Sequence, residues 1–179
     1  FTNKASKEMI ERVHDLLGVH PAGLWSGTFH KIGNLVLRKY AHLLGYTKYF
    51  VILDQNDSYD VYQTCYNDID VKNFYPDMPK VKVVASIISY ARSTNQDIRE
   101  YILDSYNWSM STVDAISKVH QLYTQKKKEL NAMDFDDLLI KPILLFRTHP
   151  DILYKYQHRF RFIMVDEYQD TNHAQYVLC

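Results

Sequence analysis

The chain has 179 residues, and its 21 Lys plus Arg balance 21 Asp plus Glu at zero formal charge. That balance argues against a purely electrostatic nucleic-acid binder, which carries a basic excess. The two cysteines, Cys65 and Cys179, form neither a metal-ligand spacing nor a disulfide framework. No run approaches the ~20 apolar residues of a membrane span, so a reducing, cytoplasmic setting without a membrane partner is expected. Only 5 glycines stand against 15 tyrosines, a composition with few tight turns that points to a predominantly α fold.

In chain order, Met9, Ile10, Val13, Leu16 and Leu17 recur at helical spacing, predicting a helix over 5–17 that Gly18 stops. Residues 24–28 read as a short strand. A second helix spans 29–44, with Ile32, Leu35, Val36, Tyr40, Leu43 and Leu44 on one face and Gly45 at its end. The run 50–53 is a strand or an extended link. Helices follow over 58–69, capped by Asp57 or Ser58, and over 81–91, 97–106 and 111–130. The stretch from Pro76 to Pro79 is a loop. A helix over 134–146 contains Pro142, which should kink it, and a short one starts at Pro150. The apolar run 160–165 has the length and flanks of a buried parallel strand, and Thr171 and Asn172 suit the cap of a last helix. Helices in the middle with strand signals near both ends suggest a helical insertion emerging from an α/β domain.

An apolar strand that ends in adjacent carboxylates has a mechanical meaning, because open α/β sheets bind ligands at the carboxyl ends of their strands. Asp166 would stand at that edge and hold Mg²⁺ directly or through water, and Glu167 would be placed to polarise an attacking water. The plainer reading of the same pair is a strand end followed by a solvated loop. Thr28 alone reads as a helix cap and His30 alone as a structural histidine. Asp134 and Asp137 favour a helix N-terminus electrostatically, and that reading stands ahead of a magnesium site for the acidic cluster. The run Lys126-Lys127-Lys128 and the cluster of Arg147, His149, Lys155, His158, Arg159 and Arg161 read as solvated faces that could also meet phosphates.

The string Asp166-Glu167-Tyr168-Gln169-Asp170-Thr171-Asn172 resembles motif II of the superfamily-1 DNA helicases of the UvrD, Rep and PcrA kind. Three further segments are similar to elements of that family in the same order: Phe1-Thr2-Asn3-Lys4-Ala5 to motif Ia, Thr28-Phe29-His30 to its Thr-Phe-His element, and Met133-Asp134-Phe135-Asp136-Asp137-Leu138-Leu139 to a segment near the return from its helical insertion. The resemblance implies Asp166 as the metal residue, Glu167 as the catalytic residue, and Gln169 and Asp170 as cofactor-binding. It implies Phe1, Asn3, Lys4, Thr28 and His30 as DNA-contacting. Phe1 would offer a ring to a base, and Thr28 and His30 at a helix N-terminus suit a phosphate. The implied cofactors are ATP and Mg²⁺. The implied partners are single-stranded DNA, single/double-strand junctions and the rest of a parent helicase.

By the same resemblance the chain divides into 1–54, part of a RecA-like subdomain 1A and the way into the insertion; 55–150, a helical subdomain 1B; and 151–179, the return to 1A with motif II. The expected fold is thus a helical 1B-type subdomain flanked by pieces of an α/β P-loop NTPase domain with a few parallel strands. No Gly-x-x-x-x-Gly-Lys-Ser/Thr loop is present, so the phosphate cradle is expected upstream of Phe1 and the chain alone is expected to be inactive. The expected activity of the parent is ATP-dependent, 3′–5′ unwinding. Two other readings stand beside it: a metal-carboxylate hydrolase built on Asp134, Asp136, Asp137 and Asp166, and a helical interaction module without chemistry.

Overall fold

A computed structural model of the chain describes residues 3–18 and 24–179. Ten α-helices are described: α1 (Asn3–Leu17), α2 (Phe29–Tyr40), α3 (Gln55–Asp68), α4 (Val71–Phe74), α5 (Val81–Ser93), α6 (Ile98–Ser105), α7 (Met110–Glu129), α8 (Phe135–Thr148), α9 (Pro150–Arg159) and α10 (His173–Leu178). The strands β1 (Val51–Ile52) and β2 (Ala132–Met133) pair in parallel, Val51 opposite Ala132 and Ile52 opposite Met133. The chain is therefore mainly α, as its composition predicts.

This two-residue ladder is a neck. The chain departs at Ile52 and returns at Ala132 beside its departure point, so α3–α7 form an excursion between the two strands. Asn131 takes the left-handed conformation, φ 49°, to make the turn into β2. Its side chain bonds Thr47 twice: Oδ1 accepts from the Thr47 N–H at 2.9 Å, and Nδ2 donates to Thr47 Oγ1 at 2.7 Å. Arg38 secures the other side, donating to the carbonyls of Lys48 and Phe50, each at 2.8 Å, with its guanidinium over the Phe50 ring.

The excursion has its own core. Cys65 from α3, Val84 and Ile88 from α5, Ile102 from α6, and Ile116 and Val119 from α7 are all fully enclosed, and Tyr62 stacks on Tyr123 at 3.7 Å. Ridges at three- and four-residue spacing on α5 and α7 produce this packing. A second core joins α2 and α8 to the neck through Leu37, Phe50, Met133 and Leu138, and a third gathers Val36, Leu145, Ile152 and Tyr156.

Caps set the helix ends. Asp54 and Asp57 form a reciprocal capping box at α3, Asp134 and Asp137 another at α8, and Asn172 and Gln175 a third at α10. Two starts differ from the sequence-based expectation. α3 begins at Gln55 because Asp54 rather than Asp57 or Ser58 is the cap, and Ser109 caps α7, which starts at Met110 rather than at residue 111. In each case several Asp or Ser neighbours can accept from a first-turn N–H, and packing selects among them.

Both end strands are corrected. Residues 24–28 run as irregular chain up to Thr28, with Trp25 packed against Tyr156 and Phe160. Residues 160–165 form no strand: Phe162 is 90% and Met164 85% exposed. A parallel strand needs neighbouring backbones for its N–H and C=O groups, and among the described residues only β1 and β2 supply such edges, to each other. At Pro142 there is no break, since α8 continues through it from Phe135 to Thr148.

Candidate functional site

The acidic turn begins one residue after the exposed apolar run. Glu167 adopts the left-handed conformation, φ 48° and ψ 43°, and a short 3-10 turn over Tyr168–Asp170 follows. Asp166 Oδ1 accepts from the Glu167 N–H at 3.0 Å, and Gln169 Nε2 donates to Glu167 Oε2. The Asp170 N–H donates to the Glu167 carbonyl at 2.9 Å, and Thr171 Oγ1 to the Tyr168 carbonyl at 2.8 Å. Asp166, Glu167, Gln169 and Asp170 are all exposed. A non-glycine residue at positive φ is uncommon, and such strain clusters at functional sites.

Thr28 caps α2, its Oγ1 accepting from the Lys31 N–H at 3.2 Å. His30, in the first turn, sets its ring edge-on to Phe135 of α8, centroids 5.9 Å apart. Burial lowers the His30 pKa from its ordinary value, and the nearby Asp136 carboxylate opposes that shift. Asn3 and Lys4 lie in the first turn of α1; Phe1 lies outside the described residues. Among the described residues no hydrogen bond or ion pair joins the acidic turn to Thr28 or His30.

The conspicuous polar constellation is elsewhere. Lys127 is 2% exposed, and its ammonium bonds both Asp134 Oδ2 and Asp137 Oδ2. Arg92 reaches the same pair, Nη1 to Asp134 Oδ2 at 3.1 Å and Nη2 to Asp137 Oδ1 at 2.6 Å, with Asp136 Oδ2 at 3.7 Å. Tyr123 donates to Asp134 Oδ2 at 3.0 Å. Burial alone would raise the Asp134 pKa; Arg92 and Lys127 outweigh it and hold this carboxyl well below the ordinary range. For Asp136 burial prevails, with Asp134 adding to it, and its pKa is raised.

Sequence reasoning took the lysine run as a solvated face and missed this cluster. The signal was the stripe Ile116, Val119, Tyr123, Lys127, whose steps of three and four continue the buried face of α7. Arg92 likewise stands four residues after the fully enclosed Ile88. Because cations already hold Asp134, Asp136 and Asp137, the cluster is an ion-pair lock rather than a metal cage. Among the described residues no group of three or more His, Cys, Asp or Glu is arranged to hold a metal. A hydrolase built on these carboxylates is not supported.

A cleft of about 220 Å³ opens beside α8 and α10, lined by Ile143, Leu144, Arg147, His173 and Val177 among others, and by none of the expected site residues. No helix among the described residues is long and apolar enough to cross a membrane.

Comparison with known proteins adds a separate line. The profile described as "UvrD/REP helicase N-terminal domain" matches residues 1–179. The chain is 36% identical over 181 residues to the "ATP-dependent DNA helicase UvrD1" of Mycobacterium tuberculosis, covering 99% of this chain and 23% of that protein. It is 35% identical over 181 residues to the "ATP-dependent DNA helicase PcrA" of Leuconostoc citreum, with the same shares. For the PcrA of Staphylococcus aureus the identity is 36% over 180 residues, 99% of this chain and 24% of that one. The chain thus spans about a quarter of the length of these relatives.

Proposed function

The chain belongs to the UvrD/REP helicase N-terminal domain family, and from that premise we propose that it is the part of an ATP-dependent DNA helicase that carries the acidic hydrolysis motif and a DNA-contacting helix start. The observation that carries the reading is the turn at 166–170. It holds Asp166 and Glu167 exposed side by side, with Glu167 at positive φ and bonded by Gln169.

The donor set fits the proposed metal. Mg²⁺ is commonly held by one or two carboxylates together with waters and substrate phosphates rather than by an all-protein cage. One exposed carboxylate at Asp166, with no larger cluster of ligands around it among the described residues, is such a set. When bound, Mg²⁺ neutralises charge on the nucleotide phosphates. Glu167 is the general base toward the attacking water, and the bond from Gln169 fixes the direction of its carboxylate. Gln169 and Asp170 face the nucleotide. Thr28 and His30, at the N-terminus of α2, meet a phosphate of single-stranded DNA, with Asn3, Lys4 and Phe1 along the same strand. The division at residues 54 and 150, use at single/double-strand junctions, and 3′–5′ direction belong to the same proposal.

The test is a paired measurement on the full-length helicase. Asp166→Ala weakens the magnesium–nucleotide complex. Glu167→Gln retains nucleotide affinity and lowers turnover by at least ~10²-fold, the low end for a positioned general base. Wild-type turnover in Glu167→Gln would sink the catalytic assignment.

A further inference from the structure

One turn of α8 is gripped from two sides. From the excursion, Arg92 at the end of α5 bonds Asp134 and Asp137 and approaches Asp136. From the other neighbouring helix, α2 rests on the same turn. The His30 ring meets Phe135 edge-on at 5.9 Å, and Gly33 lies against the Leu138 carbonyl. Phe135 and Asp136 thus link the buried guanidinium to the imidazole. Lys127 clamps Asp134 and Asp137 as well, but among the described residues it forms no ion pair with Asp136.

We propose that Arg92 is a positioning residue for the Thr28–Phe29–His30 element, setting the first turn of α8 on which His30 rests and so coupling the helical excursion to the DNA-contacting helix start. The proposal rests on the DNA role given above to Thr28 and His30. Its physical basis is shape as well as charge. A planar guanidinium, only 14% exposed in its side chain, holds carboxylates in fixed relative directions, whereas a lysine ammonium is a point charge that does not. Packed cores transmit such displacements because they deform little.

The experiment uses the full-length helicase and measures three quantities. These are the oligothymidylate concentration that half-saturates ATP hydrolysis, kcat at saturating oligothymidylate, and the thermal midpoint. Arg92→Lys keeps the buried charge and loses the fork. Phe135→Ala removes a half-exposed ring and leaves every ion pair in place. Both raise the half-saturating concentration roughly three- to thirtyfold, the span of substitutions along a coupled network, with kcat at saturation unchanged. Arg99→Met, at an exposed pair with Asp114 on a neighbouring helix, changes neither. If Arg92→Lys lowers the thermal midpoint alone, its role is stability and the proposal fails. If that variant does not fold, Phe135→Ala decides, and an unchanged DNA dependence there overturns the proposal. A wild-type helicase whose ATP hydrolysis ignores oligothymidylate removes the DNA role of Thr28 and His30 itself, and that failure is visible before any substitution is made.

Discussion

Gly33 of α2 lies so close to Leu138 of α8 that a Cβ on the glycine would stand 1.9 Å from the Leu138 carbonyl oxygen. That oxygen is the one Pro142, four residues on, cannot serve, because proline lacks the N–H that would complete the helical bond. The two features explain each other. The proline leaves a carbonyl without its helical partner inside α8, and the glycine lets the α2 backbone approach it, with a Cα–H directed at the oxygen as a weak contact. This also accounts for the continuity of α8 through Pro142. Gly33→Ala is expected to destabilise the chain by about 1–3 kcal/mol, the usual cost of overpacking, despite the better helix propensity of alanine. Denaturant unfolding of the two proteins measures it, and an unchanged or raised midpoint would contradict the close approach.

The three lysines at 126–128 are expected to behave differently. Lys127→Ala leaves Asp134 and Asp137 buried without one of their cations and costs about 3–5 kcal/mol. Lys128→Ala, at an exposed position, stays within about 0.5 kcal/mol of the parent. Similar effects at both positions would mean that α7 is rotated from the arrangement described.

Acid sensitivity is expected to begin near the histidine range. Burial, helped by Arg92 and Lys127 and opposed by Asp134 and Asp137, pulls the His120 pKa down to about 4, and its Nδ1 is buried without a partner. A group that binds its proton more weakly folded than unfolded makes stability fall as pH drops from its unfolded value near 6.5 toward 4. The loss reaches up to about 3 kcal/mol at ~1.4 kcal/mol per pKa unit. Asp134, held low, acts in the same direction further down. Its contribution is present above its unfolded pKa near 4 and is lost as the pH falls below it. Unfolding curves between pH 7 and 4 should fall more steeply in the wild type than in His120→Leu, where the part of the slope due to His30, whose pKa burial also lowers, remains.

The exposed apolar run after α9 gives a further contrast. Phe162→Ser is expected to change the unfolding free energy of the chain by less than about 0.5 kcal/mol, since Phe162 is 90% exposed. Ile116→Ala, fully enclosed in the excursion core, costs about 2–5 kcal/mol. A large loss from Phe162→Ser would restore the buried strand that the run suggests by itself.

What sequence alone determined is local. Helix periodicity placed the main helices, Gly18 closed α1 at φ 66°, and Thr28 and Asn172 capped where a hydroxyl or amide precedes an amphipathic run. The helix expected over 29–44 instead ends as an α-helix at Tyr40, and Gly45, at φ 76°, closes the 3-10 turn Ala41–Leu44 that follows it. The seven-letter acidic string pointed to the family. These signals lie within a turn or two of chain, where backbone sterics and first-turn N–H groups decide the outcome. Tertiary structure decided the rest. Lys126, Lys127 and Lys128 are chemically alike, and only the facing of α7 toward α8 buries the middle one. The run 160–165 carries the composition of a strand, but a strand exists only when other backbones complete its hydrogen bonds, and no local pattern can state whether they are there.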